Sequence, residues 1–551
     1  MDTAAHPKLL IVGAGPVGLC LACELARYGV GFRIIDKRPL PSKTSKALGI
    51  HARSLEMLYD MGLAERFIER GLPVSETNIY SDGKRLATIK LSDVDSPFNF
   101  TLDLPQSQTE ALLIEHLAEL GHEVERYIEL ESIEQTADGV EVSLKKKGGV
   151  LERSTYDYVV GCDGAHSTVR EQLGIPFEGE SYPEDFVLAD VKLASPLAPN
   201  AMHMFFHPDG ALALFPMRDS RVRIIAEIAS SPGMELNETY VQGVIDKRAK
   251  LQSHVSDGVW FSQFRIHRRM VPRYRDGRVF LAGDAAHIHS PAGGQGMNTG
   301  MQDAYNLAWK LGLKLKGGPD LLNSYSPERH AVGKHVVELT DRMTRVVTMK
   351  NPVATAIRDA VAPFIASFGV VQHKVAESLE EVDVNYRKSP IVGEYLGTDA
   401  PNATRAPFLN GPRAGERAPD ATVTDIREGR PATLFSLFQG THFTLLLFTH
   451  ANAKEDESSA AEAIATACTA RLGDWLKCVF ISDRQAPEAL RDRHDVYLDA
   501  RLSAHKAYGV AKARALYLIR PDGYIAFRST PVNTEALETF LTKLGFAEHD
   551  G

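Results

Sequence analysis

The chain has 551 residues, long for one domain and comfortable for two or three. Hydrophobic residues make up 44% and charged residues 24%, ordinary for a soluble globular enzyme. A formal net charge of −9 argues against a nucleic-acid surface, which needs clustered Lys and Arg on phosphate.

Met1–His6 lacks the basic start and apolar core of a signal peptide. The apolar stretch 9–26 is broken by Gly13, Gly15, Pro16 and Gly18 and carries Glu24, so it reads as strand, turn and helix, not as a membrane span. Five cysteines are a sparse set. Cys20 and Cys23 fall inside the predicted helix and are expected as buried, reduced thiols, in keeping with a cytoplasmic setting; no metal site is expected.

Residues 8–12 predict a short buried strand, 17–28 a helix and 31–35 a second strand ending at Asp36, which is a βαβ unit. The turn Gly13-Ala14-Gly15-Pro16-Val17-Gly18 has G-x-G-x-x-G spacing. Its first Gly permits the tight turn, the second lets backbone reach a pyrophosphate, and the third lets helix and strand approach. The helix start offers free N–H groups and a positive dipole end to phosphates. Asp36 can accept from a ribose hydroxyl, and Lys37 is placed beside it at the cofactor.

Further along, 109–120 is periodic like a helix and 140–144 alternates like a strand, with Lys145–Lys147 before Gly148-Gly149 as a solvated hairpin turn. Residues 158–160 form another buried strand, delivering Gly161-Cys162-Asp163-Gly164 at its end. From about 180 to 270 strand-like segments at 186–192, 201–207, 211–216, 221–228 and 259–266 alternate with turn signals such as Pro208-Asp209-Gly210. This predicts an antiparallel sheet whose inward face supplies apolar walls: Phe206, Leu212, Leu214, Phe215, Phe264 and Ile266.

A strand at 277–282 then carries Gly283-Asp284-Ala285-Ala286-His287, followed by Gly293-Gly294-Gln295-Gly296-Met297-Asn298 and helices over 301–315 and 320–330. A carboxylate at Asp284 can bond ribityl hydroxyls, while Gly294, Gly296, Met297 and Asn298 can present N–H groups to a flavin pyrimidine and stabilise its reduced, negative form. Paired with the fingerprint, this loop points to FAD, and Pro291 is expected at the substrate pocket with Phe206, Leu214, Phe215 and Phe264. Residues 350–400 read as helical and connective, 401–419 as a Pro-rich linker, and 420–551 as a separate α/β unit.

The fingerprint, Val159–Ser167, Gly277–Asn298, Asp303–Lys310 and Tyr325–Arg329 together resemble the class A flavoprotein aromatic hydroxylases over residues 8–330. The resemblance implies an α/β fold: a Rossmann-like FAD-binding domain in two parts (1–180 and 271–400) with an inserted antiparallel β-sheet substrate domain (181–270). A C-terminal unit (401–551) resembles the family's thioredoxin-like domain. That unit lacks C-x-x-C, because Phe448 is followed by Thr449-His450-Ala451-Asn452, and is expected to be structural or to form a homodimer. The implied reaction uses NADH or NADPH as transient reductant of FAD and molecular oxygen as co-substrate, and hydroxylates a phenolic ring through a flavin hydroperoxide.

The resemblance associates Asp163 with FAD and the pyridine nucleotide, Asp284 with the ribityl chain, and Gln106 with ribityl and phosphate, Gln108 being its rival. Lys46 stands where the family usually has an Arg, with Arg53 as an alternative. Leu48 replaces the acidic residue of the family's phenol hydroxylases. His267 and His207 are therefore the candidate bases, ahead of His287 and His289 in the flavin motif. Arg265, Arg268 and Arg269 could attract an anionic substrate. Small phenols are the first substrate choice, a polyketide or antibiotic the alternative, and a flavin oxidase or dehydrogenase without oxygen insertion the competing class.

Overall fold

The structure is a computed structural model and describes residues 8–42, 47–228, 235–349, 369–397, 402–450, 455–483, 495–510 and 514–546, with 351, 355, 358 and 359 besides. Leu9–Val12, buried throughout, pairs in parallel with Phe32–Asp36 on one side and Tyr158–Gly161 on the other. Val279–Leu281 continues the sheet beyond Tyr158–Gly161. Parallel strands are covered on both faces, which is why these segments read as continuous apolar runs rather than alternating ones. Their register sets Val12 opposite Gly161 and Gly161 opposite Leu281. Three turns far apart in sequence, beginning at Gly13, Cys162 and Ala282, therefore emerge side by side at one edge of the sheet. The outer carboxyl edge of a parallel sheet is where this architecture binds ligands.

A second sheet has eight strands. Its spine is two strands of 17 residues, Glu178–Ala194 and His254–Met270, paired antiparallel. The sheet is not confined to residues 181–270, since the hairpin Glu76–Ser81 and Lys84–Lys90 supplies the two strands beyond Ala201–Phe206. That parallel pairing joins segments more than a hundred residues apart and leaves no local signal. Side chains alternate between faces at every residue. Leu212, Leu214, Ile224 and Ala226 pack under helix Glu238–Ala249, whereas Phe215, Arg223 and Ile225 point the other way, into a cavity.

Helix Gln295–Leu315 packs along helix Pro16–Arg27. The following helix runs over Tyr325–Val347, far past His330, because its buried stripe Val332, Val336, Thr340 and Thr344 uses threonines whose hydroxyls bond back into the helix. A third large sheet lies C-terminal, around the wholly buried strand Phe443–Thr449. Asn402–Asn410, expected as open linker, is helical: Arg528 donates to the carbonyl oxygens of Phe408 and Pro412 and satisfies its end. Trp309, Leu313 and Leu321 share one apolar cluster with Phe443, Leu445 and Leu447, so the C-terminal sheet sits directly on the end of helix Gln295–Leu315. Among the described residues, no helix is long and apolar enough to cross a membrane.

Candidate active site

One cavity of about 650 Å³ runs from the fingerprint turn to the open face of the second sheet. At one end it is walled by Gly13, Gly15, Pro16, Val17, Asp36, Lys37 and Gln106, in the middle by Asp163, Gly164, Asp284, Gly294, Gly296 and Met297, and at the sheet by Phe215, Phe264, His267 and Pro291. Each glycine of the fingerprint has a separate reason. Gly13 has φ +103°, and a Cβ there would lie 2.4 Å from the Cys162 carbonyl oxygen; one on Gly18 would lie 1.9 Å from the Gly13 oxygen. A Cβ on Gly15 would meet nothing within 4 Å, so its place is open to a group from outside the chain.

Helices Pro16–Arg27 and Gln295–Leu315 both start at this cavity, on Gly15 and Gly294, with no side-chain cap and no acid in the first turn. Their first N–H groups remain available to an anion. Asp36 accepts from the Ala14 N–H at 3.0 Å and from the Arg38 backbone and guanidinium at 2.8–3.1 Å. Burial pushes its carboxyl up, but the Arg38 and Ala14 donors outweigh that and hold it below the usual carboxylate range. Gln106 donates to Glu110 at 2.8 Å, while the other Glu110 oxygen is buried with no hydrogen-bond partner among the described residues. Asp163 accepts from Ser167 Oγ at 2.5 Å and the Val169 N–H at 3.2 Å.

Asp284 is exposed between the buried Gly283 and Ala285. Its loop is fixed from behind. Asp303, wholly buried, accepts from the Gly283 N–H at 3.0 Å, His287 Nε2 at 2.8 Å and Arg329 Nε at 2.6 Å. His287 thus braces the loop from behind and is not part of the cavity wall. The first turn of helix Gln295–Leu315 is gripped similarly. Asn298 accepts from the His51 N–H at 2.9 Å and donates to the carbonyl oxygens of Gly49 and Gly294 at 2.9 and 3.0 Å.

Several expected residues stand elsewhere. Ala14, Gly18 and Asn298 lie behind the cavity wall and shape it rather than line it. Leu214 faces the opposite core, one residue out of phase with Phe215. Phe206 is off the cavity, under the Arg358 guanidinium at 4.0 Å. His207 is also off it, its Nδ1 accepting from the Asp209 N–H in the turn. Lys46 lies outside the described residues. Arg53 points to the C-terminal sheet, bonding Glu56 and the Asp522 carbonyl oxygen, and Arg268 is paired with Asp341, whereas Arg265 does line the cavity while paired with Asp185.

Sequence reasoning missed Arg38, Glu110, Arg223 and two buried acids beside the flavin-side loop. Arg38 shares a turn with Asp36 and was detectable; the others depend on long-range packing. Glu380 accepts from the Ala52 N–H at 2.6 Å and from Thr101, and Glu381 accepts from Thr299 and Gln302 at 2.8 and 2.5 Å. Burial raises their carboxyls from the ordinary 4.5 to about 7 and about 8, respectively. The folded state therefore binds protons the unfolded chain has released, so this contribution is full below pH 4.5 and is lost as pH rises through 7 to 8. Glu381→Gln should accordingly gain on the parent in melting temperature as pH is raised from 6 to 9; a constant gap across that range would show that Glu381 is already ionised.

Residues 7–340 match the profile of the FAD binding domain and residues 411–545 that of the aromatic-ring hydroxylase C-terminal domain. The chain is 32% identical to 6-methylpretetramide 4-monooxygenase of Streptomyces rimosus, over 99% of this chain and 95% of that one. It is 33% identical to pentachlorophenol 4-monooxygenase of Sphingobium chlorophenolicum, over 96% and 94%. Among solved structures, the anhydrotetracycline hydroxylase OxyS from Streptomyces rimosus superimposes with a TM-score of 0.76 at 30% identity, covering 98% of this chain and 99% of that one. Aklavinone-11 hydroxylase, solved with FAD and aklavinone, gives 0.75 at 25% identity, covering 98% of each.

Proposed function

The chain belongs to the FAD-dependent aromatic-ring monooxygenases, and we propose that within that family it hydroxylates a fused, polycyclic phenol. The site fits FAD on its own geometry: an open place at Gly15, two uncapped helix starts, and carboxylates at Asp36 and Asp284 spaced along one cavity. In this reading the Gly13–Gly18 turn holds the diphosphate, Asp36 with Arg38 the adenosine ribose, Asp284 and Gln106 the ribityl chain, and the start of helix Gln295–Leu315 the flavin pyrimidine. Bound there, FAD would supply the redox and dioxygen-activating chemistry, with NADH or NADPH as the reductant.

The chain's own part is positioning and water exclusion. Leu188, Phe215, Ile225, Phe264 and Ile266 form an apolar floor on which a planar ring can lie, next to Met297 and Pro291. His267 is the preferred proton-transfer group: it lines the cavity, is exposed, and its Nδ1 lies 2.8 Å from Ser181 Oγ. His289 also lines the cavity, but burial holds it down at about 4, and its Nδ1 donates to the Ser290 carbonyl oxygen. The single observation carrying the reading is the continuity of this floor with the Asp284 edge. The preference for fused rings draws on the relatives named for 6-methylpretetramide, anhydrotetracycline and aklavinone.

We also read the three-part division as an FAD domain interrupted by the substrate sheet and followed by a thioredoxin-like unit near 401–551. The latter lacks the dithiol motif, since Phe448 is followed by Thr449-His450-Ala451-Asn452 and not by C-x-x-C.

Substrate-stimulated oxidation of NADH or NADPH tests the proposal. Tetracyclic and anthraquinone-type phenols should stimulate more than monocyclic phenols, and labelled dioxygen should leave one labelled atom in the product. Stimulation confined to monocyclic phenols would overturn the fused-ring assignment, and peroxide without labelled product would indicate an oxidase.

A further inference from the structure

On the same face of the second sheet, beyond Arg223, lies another cavity, of about 660 Å³. Asp190, Arg223, Val259 and Trp260 of the sheet line it, together with Asp103 from strand Thr101–Asp103 and Arg70. Arg223 lines the main cavity as well. Alternation places Arg223 on the same face as Ile225 and Phe215, so the two cavities share one floor and Arg223 lies across it. The side chain is 2% exposed. Nε and Nη2 donate to the two Asp190 oxygens at 2.8 and 2.7 Å, and Nη1 donates at 3.1 Å to the Ala47 carbonyl oxygen on the main-cavity wall. The guanidinium carbon lies 5.4 Å from the centre of the Trp260 ring.

A buried ion pair in an apolar floor is a poor stabiliser, and a Leu or Met of similar volume would close the floor more cheaply. The pair calls for another explanation, and Asp103 provides part of one. Asp103 is 4% exposed, and its Oδ2 has no hydrogen-bond partner among the described residues. Burial pushes its carboxyl well up, and Arg223 is close enough to draw it partly back. Asp190 and Asp103 are thus two buried carboxyls on the wall of the same cavity as this guanidinium, which is bonded to both oxygens of Asp190.

We propose that the outer cavity is a second binding site for the phenolic substrate, on a route into the main cavity, and that the Arg223–Asp190 pair is the partition between them. The proposal rests on the aromatic-hydroxylase reading of the main site. Half-buried Trp260 offers a ring face, Arg70 a cation for a phenolate or carboxylate, and Asp103 an unused acceptor for a phenolic O–H. Because Arg223 lines both cavities, loosening its pair with Asp190 would join them across the shared floor.

The test blocks the outer cavity from its rim. Val259 is 59% exposed, and four of the five cysteines are buried. Val259→Cys in a Cys478→Ser background can therefore be labelled with a bulky maleimide and compared with the same protein unlabelled. The label should lower the association rate of a phenol, followed by its perturbation of the flavin spectrum, and kcat/KM about tenfold or more, while FAD absorbance stays constant. Equal rates with and without the label would overturn the route. Asp190→Asn, which weakens the partition, should speed phenol association; unchanged association would overturn the role of the pair. The binding readout needs no turnover, so a protein that binds phenols through this route without hydroxylating them counts against the chemistry and not against the route.

Discussion

Arg520→Ala should cost about 3–5 kcal/mol of stability, because it strips the guanidinium that pairs with two buried carboxylates, which the neutral Asn306 amide also bridges but cannot charge-balance. Arg520 is essentially unexposed and donates to both Glu328 oxygens at 2.8 and 3.1 Å and to both Asp522 oxygens at 2.8 and 2.5 Å. It also stacks near Trp309 and Tyr386, about 5 Å from each ring centre. Glu328 is shared with Lys310 Nζ at 2.7 Å, and burial holds that ammonium down at about 8. Without Arg520, Lys310 is the one cation among the described residues still bonded to Glu328, the other donors being neutral, and one buried negative charge is left without a counterion. Chemical denaturation measures the loss, and Arg520→Ala combined with Glu328→Gln should recover part of it, since the second change removes the stranded charge. A single variant that unfolds like the parent would show that the network carries no net stability. Because Lys310, Trp309 and Asn306 lie on helix Gln295–Leu315, FAD should also be held less tightly in Arg520→Ala.

The second large effect separates folding from cofactor binding. Gly15→Ala should leave the apoprotein's stability within about 0.5 kcal/mol of the parent, as expected of a substitution that meets no neighbour, yet abolish FAD retention. Gly15 has φ −82°, which alanine adopts freely, and the added Cβ would touch nothing in the chain. The methyl group would stand where backbone must approach the diphosphate. Gly18→Ala provides the contrast, because its Cβ would collide with the Gly13 oxygen at 1.9 Å and should destabilise the fold itself. Purified Gly15→Ala that retains flavin absorbance would refute the assignment of this turn to the diphosphate.

What the sequence revealed was local. The fingerprint, the Asp284 loop and the buried parallel strands each carry their signal within a dozen residues, and their convergence follows from the way such strands stack. The substrate side was read less well because its signals are not local. Phe215 and Leu214 are adjacent and both apolar, and only the phase of the alternation decides which one meets the cavity. Arg223 sits in a strand otherwise rich in Ile, Val and Ala, where a charge reads as an interruption until Asp190 is found on the neighbouring strand. The hairpin at 76–90 joins its sheet by pairing with Ala201–Phe206, and the long helix past His330 buries threonines that hydropathy does not count. His207 and His267 look alike at the ends of strands, yet one ends in a solvent turn and the other at the cavity.

The shared cluster of Trp309, Leu313 and Leu321 with the C-terminal sheet bears on how the protein is made. Synthesis proceeds from the N-terminus, and domains generally fold as they leave the ribosome. Here the flavin-side helix emerges long before Arg520 and Asp522, the residues that satisfy its buried Lys310 and Glu328 partners. Until those last strands are synthesised, the helix exposes an apolar end and the cofactor cleft lacks its far support. A chain cut short before the hairpin at 521–523 would therefore lack these partners of the helix that edges the cofactor cleft, and is expected to hold FAD less tightly than the full chain.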